Sequence, residues 1–281
     1  MSLTDATVLL TGATSGIGRA TAVALVPHVR LLLLHGPEPA DAATALLDEV
    51  RARGRPGTEL AYLQADYAHV DDVVRLADQV VSRAERLDVL VNNAARPGSP
   101  HRRLSADGYE STLQVNYLAP VALTTLLLDL LARCDRARIV NVASATHLSA
   151  TLDVDDLDLR HGYSPVTAYA RSKLAVVTHS CWLADNLPDS GTEVVSMHPG
   201  VIATGLLHAM FSVGGEPPER AAGNIVDVVA RTGDSGAYYD ETRPADPNPL
   251  ARDRRLQQRL HESTMARLDR FVAGRPRPGG S

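Results

Sequence analysis

Strand-length apolar runs alternate with helix-patterned stretches from residue 7 to about residue 240 of this chain. The runs are Thr7–Leu10, Val29–His35, Leu60–Gln64, Leu87–Val91, Arg138–Val142 and Glu193–Met197, and Tyr238-Tyr239 marks a last one. Between them, Arg19–Val26, Asp41–Arg53, Val70–Arg86, Gly108–Leu131, Tyr169–Asn186 and Ala221–Ala230 carry apolar residues at helical spacing. Regular alternation of this kind requires crossover connections, so the strands are expected to lie parallel, with helices on both faces of one sheet. Strands buried on both sides need apolar residues at every position, which accounts for continuous runs instead of alternating ones. Pro120 is expected to kink or locally adjust the helix it falls in.

The first connection narrows the fold further. Thr11-Gly12-Ala13-Thr14-Ser15-Gly16-Ile17-Gly18 sits between the first apolar run and the first helix. Glycines at this spacing permit a tight turn and a close backbone approach, and the helix start offers free N–H groups and a positive dipole end to a pyrophosphate. The spacing is G-x-x-x-G-x-G, not the usual dinucleotide pattern of G-x-G-x-x-G, but its place between strand and helix points to the same chemistry. The expectation is an α/β, doubly wound parallel sheet (Rossmann-like) in a single domain over residues 1–250. A basic amphipathic helix over Ala251–Leu268 and disorder from Ala273 to Ser281 are expected to follow.

Composition excludes several other classes. A formal net charge of −5 with no basic block argues against nucleic acid as a partner. Cys134 and Cys181 belong to no CxxC or Cys/His cluster, so neither a disulfide framework nor a metal site is expected, and a reducing cytoplasm fits. No uninterrupted apolar run approaches membrane-spanning length, and no secretory signal pattern opens the chain.

One residue stands apart. Of 28 basic residues, Lys173 is the only lysine. Tyr169-Ala-Arg-Ser-Lys173 puts a phenol and an ammonium at i and i+4, on one face of a helix. A neighbouring ammonium favours phenolate and is expected to lower the phenol's pKa toward neutrality. Ser144 follows the run Arg138–Val142, at the strand end where doubly wound sheets bind ligands. Its hydroxyl either bonds a substrate oxygen or satisfies a turn. Asn116 lies inside an apolar helix, either as a satisfied buried amide or as the anchor of a water linking Lys173 to solvent.

Taken together and in order, T-G-x-x-x-G-x-G, N-N-A at 92–94, Asn116, Ser144, Y-x-x-x-K at 169–173 and P-G-x-x-x-T at 199–204 resemble the short-chain dehydrogenase/reductase family. The stretches 114–120, 198–204 and 235–239 are most similar to its retinol-dehydrogenase-like branch. The resemblance implies a hydride transfer between NAD(P)H and a carbonyl or alcohol carbon, most readily as ketone or aldehyde reduction. It implies that Tyr169 is the acid–base group, Lys173 its tuning neighbour and ribose ligand, Ser144 the carbonyl polariser and Asn116 the holder of a relay water. It further implies that Gly12, Thr14, Ser15, Gly16, Ile17 and Gly18 line the pyrophosphate, with His35 at the end of the second strand. Asp66 and the backbone of Tyr67 would meet the adenine, Asn92 and Ala94 would pass behind the adenosine ribose, and Pro199, Ile202 and Thr204 would hold the carboxamide. In many members the helices carrying Asn116 and Tyr169 form subunit contacts, which implies a homodimer or homotetramer.

Three positions depart from the family pattern. Ala95 stands for a Gly, and Ala143 precedes Ser144 where a second Ser is usual. The third is the end of the second strand, which reads Leu34-His35-Gly36-Pro37-Glu38, with neither the acid of NAD users nor the Arg of NADP users. The branch inclines the cofactor toward NADP(H), with Arg19 or Arg30 as substitutes for the absent cation, whereas Glu38 would repel a phosphate. Leu206, Leu207, Met210 and Phe211 suggest an apolar lid and a small hydrophobic substrate, or else simple core packing. Two other functions share the fold: an epimerase or dehydratase using the cofactor transiently, and a dinucleotide sensor without turnover.

Overall fold

A computed structural model describes residues 2–187, 191–210 and 214–273. Phe211 and residues 274–281, for which a lid and disorder were expected, lie outside the described residues. Eight strands form one sheet among the described residues, in the order β3-β2-β1-β4-β5-β6-β7-β8. They are β1 (Thr7–Leu10), β2 (Leu31–Gly36), β3 (Glu59–Gln64), β4 (Val89–Asn92), β5 (Ala137–Val142), β6 (Thr192–His198), β7 (Tyr238–Asp240) and β8 (Arg243–Ala245). β1 to β7 pair in parallel, and only β8 runs antiparallel, on β7. The helices are α1 (Gly16–Leu25), α2 (Thr44–Arg51), α3 (Val70–Arg83), α4 (Ser111–Leu113), α5 (Ala119–Leu131), α6 (Pro165–Asn186), α7 (Gly205–Met210), α8 (Pro218–Ala230) and α9 (Arg254–Val272). The doubly wound sheet expected from the alternation is therefore present, with its strand order reversing between β1 and β4.

Neighbouring residues of one strand feed opposite cores, as the pleat requires. Leu9, Leu31 and Leu33 join the side packed by α3, α5, α6 and α9. Val8, Leu10, Leu32 and Leu34 join the side packed by α1, α2 and α8. The short strand β8 was not legible because Arg243-Pro244-Ala245 lies on an edge, where no apolar pattern is needed.

The segment from Ser111 to Leu131 is continuous but not uniformly α-helical: Gln114–Leu118 forms a π-helical turn between α4 and α5. Pro120 explains the adjustment, because it has no N–H to give the carbonyl four residues back, that of Asn116. By length and composition this 21-residue run is apolar enough to cross a membrane, although no uninterrupted apolar run of that length occurs in the sequence. It is instead a core helix, with 72% of its most apolar window buried inside the fold.

The C-terminal helix α9 lies on α6, α3 and α5, burying Leu260, Thr264, Leu268 and Val272. Tyr117 on the π turn bonds Thr264 at 2.8 Å, and the Tyr109 hydroxyl donates to the Arg267 carbonyl at 2.9 Å. The tail thus covers part of the α5–α6 surface that the family resemblance offered for subunit contacts.

Two ion pairs of one arginine tie the strand starts together. Arg138, 1% exposed, donates to Glu193 and to both carboxylate oxygens of Asp234 at 2.7–3.1 Å. Arg138→Met is expected to lower stability by about 2–4 kcal/mol, because it strands two half-buried carboxylates side by side. Urea titration would detect this as a lower midpoint, and an unchanged midpoint would show the carboxylates to be adequately solvated without the arginine.

Candidate active site

The strand ends on either side of the β1/β4 reversal open into a cleft of about 860 Å³. Its floor is the turn between β1 and α1. Gly12 has φ +65° and Gly16 φ +50°, the left-handed region that favours glycine. The fit is tighter than backbone angle alone requires. A Cβ on Gly12 would stand 2.7 Å from Ala94 Cα, and one on Gly18 would stand 1.9 Å from the Gly12 carbonyl oxygen. Ser15 caps α1 without a side-chain bond to it, so the first N–H groups of the helix are left for a ligand.

Asn93 braces this turn. Its amide donates to the carbonyls of Thr11 and Gly12 at 2.9 and 3.1 Å, while the Thr11 hydroxyl accepts from Asn93 N and Ala94 N, both at 3.0 Å. The neighbouring Asn92, expected behind the adenosine ribose, does not line the cleft. It points into the sheet, donating to Thr124 Oγ1 at 3.0 Å and to Asn141 Oδ1 at 2.8 Å, its register partner on β5. Strand alternation is the cause: of two consecutive asparagines at a strand end, only one can face the crevice.

Gly12, Thr14, Ser15, Gly16, Ile17, Gly18, His35, Asp66, Tyr67, Ala94, Pro199, Ile202 and Thr204 all line the cleft. His35 is 2% exposed and its pKa falls to about 4, chiefly through burial. The neutral ring donates from Nε2 to the Ala65 carbonyl at 3.0 Å and accepts Gly12 N–H at Nδ1 (3.3 Å), stacked on Tyr67 at 4.5 Å. Thr204 touches the floor from the opposite side, its methyl 3.2 Å from where a Gly16 Cβ would be. Arg19 and Arg30, the two cations offered for a phosphate, do not line the cleft; they pair with Glu49 and Glu59.

The chemical end lies past β5. Ser144 opens a 3₁₀ turn, Ala145–Ser149, and its hydroxyl oxygen accepts Thr146 N–H at 3.3 Å. Buried His147 fixes that turn: Nδ1–H donates to the Ser144 carbonyl at 2.7 Å, and Nε2 accepts Asn248 N–H at 3.3 Å. The Asn248 side chain then donates to the carbonyls of His147, Leu148 and Ala150 at 2.9–3.2 Å. No local spacing signals this lock, since residue 248 is 101 residues from residue 147.

Tyr169 and Lys173 stand one turn apart on α6, which Ser164 starts by accepting Thr167 N–H at 3.0 Å. Lys173 Nζ is 5.7 Å from the Tyr169 ring centre and donates to the Val142 carbonyl at 2.8 Å. The expected lowering of the phenol does not hold in the folded chain. Burial pushes Tyr169 up to about 12, a bond from Ser144 pulls it back only in part, and burial pushes Lys173 down to about 8. Both residues are almost fully enclosed (6% and 2% exposed), so the loss of water disfavours charge on each.

Asn116 also differs from the relay expectation. It does not line the cleft. Its Oδ1 accepts Arg96 N–H at 2.8 Å, and its Nδ2 donates to the Arg96 carbonyl at 3.0 Å and to Ser172 Oγ at 3.1 Å. Ser172 Oγ in turn donates to the Tyr169 carbonyl at 2.7 Å. The side chain is the satisfied amide of the two alternatives, and it clamps the Arg96 loop to the helix that carries Tyr169.

A model of the short chain dehydrogenase family matches residues 6–213. The chain belongs to that family. Over 97% of its length it is 32% identical to Retinol dehydrogenase 13 of Mus musculus, covering 86% of that protein. It is equally 32% identical, over 92% of its length and 91% of the relative's, to DnrU of Streptomyces sp. (strain C5), named as a daunorubicin C-13 ketoreductase. A structure titled Pseudomonas aeruginosa RhlG/NADP active-site complex shares the fold with a TM-score of 0.69 at 23% identity, over 85% of this chain and 95% of that one. This dehydrogenase is therefore a nicotinamide-dinucleotide oxidoreductase of carbonyl and alcohol carbons, in the retinol-dehydrogenase-like branch. The glycine floor fits such a cofactor on geometry: a Cβ at Gly12 or Gly18 would strike Ala94 or the Gly12 carbonyl and push apart the tight turn that leaves the first α1 N–H groups free for a pyrophosphate.

Proposed function

We propose that this dehydrogenase reduces the ketone or aldehyde of a moderately sized apolar substrate, with Tyr169 as the proton donor. The observation that carries the reading is the group of Ser144, Tyr169 and Lys173 in a cleft that Pro97, Val115, Leu206 and Leu207 also line. A phenol held near 12 keeps its proton at neutral pH, which suits an acid better than a base. Ser144, with its oxygen already accepting Thr146 N–H, is oriented to donate its hydrogen to the substrate's carbonyl oxygen. The nicotinamide, when bound, supplies the hydride to the carbonyl carbon. Tyr169 then gives its proton to the same oxygen, and the Lys173 ammonium, fixed by the Val142 carbonyl, eases that loss and leaves two N–H donors for a ribose. Asn116 acts as a positioning residue, through Arg96 and Ser172. The branch resemblance favours NADP(H), yet neither arginine offered for its phosphate lines the cleft. A cytoplasmic location is part of the proposal, supported by two buried free thiols, Cys134 and Cys181.

The test is loss of nicotinamide absorbance when the purified protein meets apolar ketones and aldehydes, followed across pH. Turnover is expected to decline as pH rises through about 8, where Lys173 loses its proton and the phenol becomes a weaker donor. Substrate conversion with no net absorbance change would replace the proposal with an epimerase or dehydratase. Cofactor binding with no turnover on any carbonyl would replace it with a sensor.

A further inference from the structure

Tyr169 and Lys173 take their positions from α6, a helix of 22 residues. Ser144 has no such support. It follows the end of β5 and begins a 3₁₀ turn of five residues. A turn of that length holds few internal bonds, yet a reacting group must be fixed to within about 0.5 Å. The Ser144 hydroxyl is tied to its own turn by the Thr146 N–H at 3.3 Å, and it pulls the Tyr169 phenol down against burial.

The missing support comes from elsewhere in the chain. Residue 147 holds the Ser144 carbonyl twice, through its backbone N–H at 3.1 Å and its ring Nδ1–H at 2.7 Å. That ring is fully buried and lies 4.7 Å from the Tyr238 ring on β7. Burial holds its pKa below the ordinary value, so the ring stays neutral with one donor and one acceptor. The acceptor takes the Asn248 N–H. Both ends of the Asn248 amide are then used. Oδ1 accepts Leu250 N–H at 3.0 Å and so caps a second 3₁₀ turn, Pro249–Arg252. Nδ2 donates to the carbonyls of His147, Leu148 and Ala150, at the closing end of the Ser144 turn. One buried side chain thus joins two turns, and its bonds converge on the segment that begins with Ser144. Neither His147 nor Asn248 lines the cleft, so what they contribute to the chemistry passes through that segment.

We propose that Asn248 is a positioning residue for the reduction: acting through His147, it holds the Ser144 hydroxyl beside the Tyr169 phenol, where both reach the substrate oxygen. The proposal rests on the reading of Ser144 as the group that polarises the carbonyl. It makes the segment after β8 part of the machinery, although that segment lies outside the cleft.

Steady-state reduction of an apolar aldehyde or ketone by the full-length protein tests it, beside fluorescence titration of NADH and NADPH and thermal melts that confirm folding. Asn248→Ser keeps an oxygen to cap Leu250 N–H and loses the amide hydrogens. It is expected to lower kcat at least about tenfold, because a misplacement of about 1 Å at a reacting group costs up to about 10²-fold. Cofactor affinity is expected to change less than about twofold. His147→Leu removes both ring bonds and is expected to cost at least as much. Adding Asn248→Ser to it is expected to slow the enzyme less than about twofold further, since the two residues act along one path. In a Ser144→Ala background Asn248→Ser is likewise expected to cost less than about twofold, because the group it positions is gone. Parental kcat in a folded Asn248→Ser would overturn the proposal and leave Ser144 in its role. So would a loss that multiplies the Ser144→Ala loss in full. Parental turnover by Ser144→Ala would instead remove the reading of Ser144, and the proposal with it.

Discussion

Tyr169→Phe is expected to reduce kcat/KM for carbonyl reduction by about 10³-fold, within the range that a positioned proton donor contributes. The substitution removes one oxygen and keeps the ring, so the Lys173 ammonium, 5.7 Å from the ring centre and bonded to the Val142 carbonyl, has no reason to move. Cofactor affinity should therefore stay within a factor of about three, which is roughly 0.7 kcal/mol. Steady-state kinetics beside a fluorescence titration separates the two effects. Full turnover in the variant would assign the proton to another group and remove the basis of the mechanism. Ser144→Ala is not equivalent, because it also deletes the acceptor for Thr146 N–H and loosens the 3₁₀ turn.

The second large effect is expected from the smallest substitution. Gly18→Ala places a Cβ 1.9 Å from the Gly12 carbonyl oxygen and 2.7 Å from Asn93 Nδ2. The first neighbour is backbone in a turn already held by Asn93 and Thr11, so it cannot swing aside as a flexible side chain would. The start of α1 must move away from β1, opening the floor on which the pyrophosphate rests. We expect cofactor affinity to fall at least about 100-fold, together with a stability loss of about 1–3 kcal/mol from overpacking. Gly223→Ala, in α8, is the control: a Cβ there meets nothing within 4 Å, and the change should stabilise by about 0.4–1 kcal/mol. If Gly18→Ala bound dinucleotide normally, the turn would not be the cofactor's floor.

Lys173 shows how far a sequence argument reaches. Its pairing with Tyr169 was visible because helical geometry is local: four residues on, the side chain must lie on the same face. The consequence drawn from that pairing was not correct, because the local rule omits burial. With both groups enclosed, desolvation outweighs their mutual influence, and the phenol moves up instead of down. Asn92 and Asn93 give a similar lesson. The motif was legible, but which amide faces the crevice depends on the exit register of β4 against β1 and β5.

What the sequence by itself determined were features encoded over a few residues: the alternation of β1 to β7 with the longer helices, the glycine turn, and the helical pairing of Tyr169 with Lys173. Those follow from periodicity and backbone sterics, which act between near neighbours. Only the tertiary structure decided which groups lose water and which distant residues meet. The bracing of Ser144 by His147 and Asn248 and the closure of Asn116 on Arg96 both belong to that second kind. Desolvation and long-range contact depend on how the sheet closes around the side chains, and no local pattern records that.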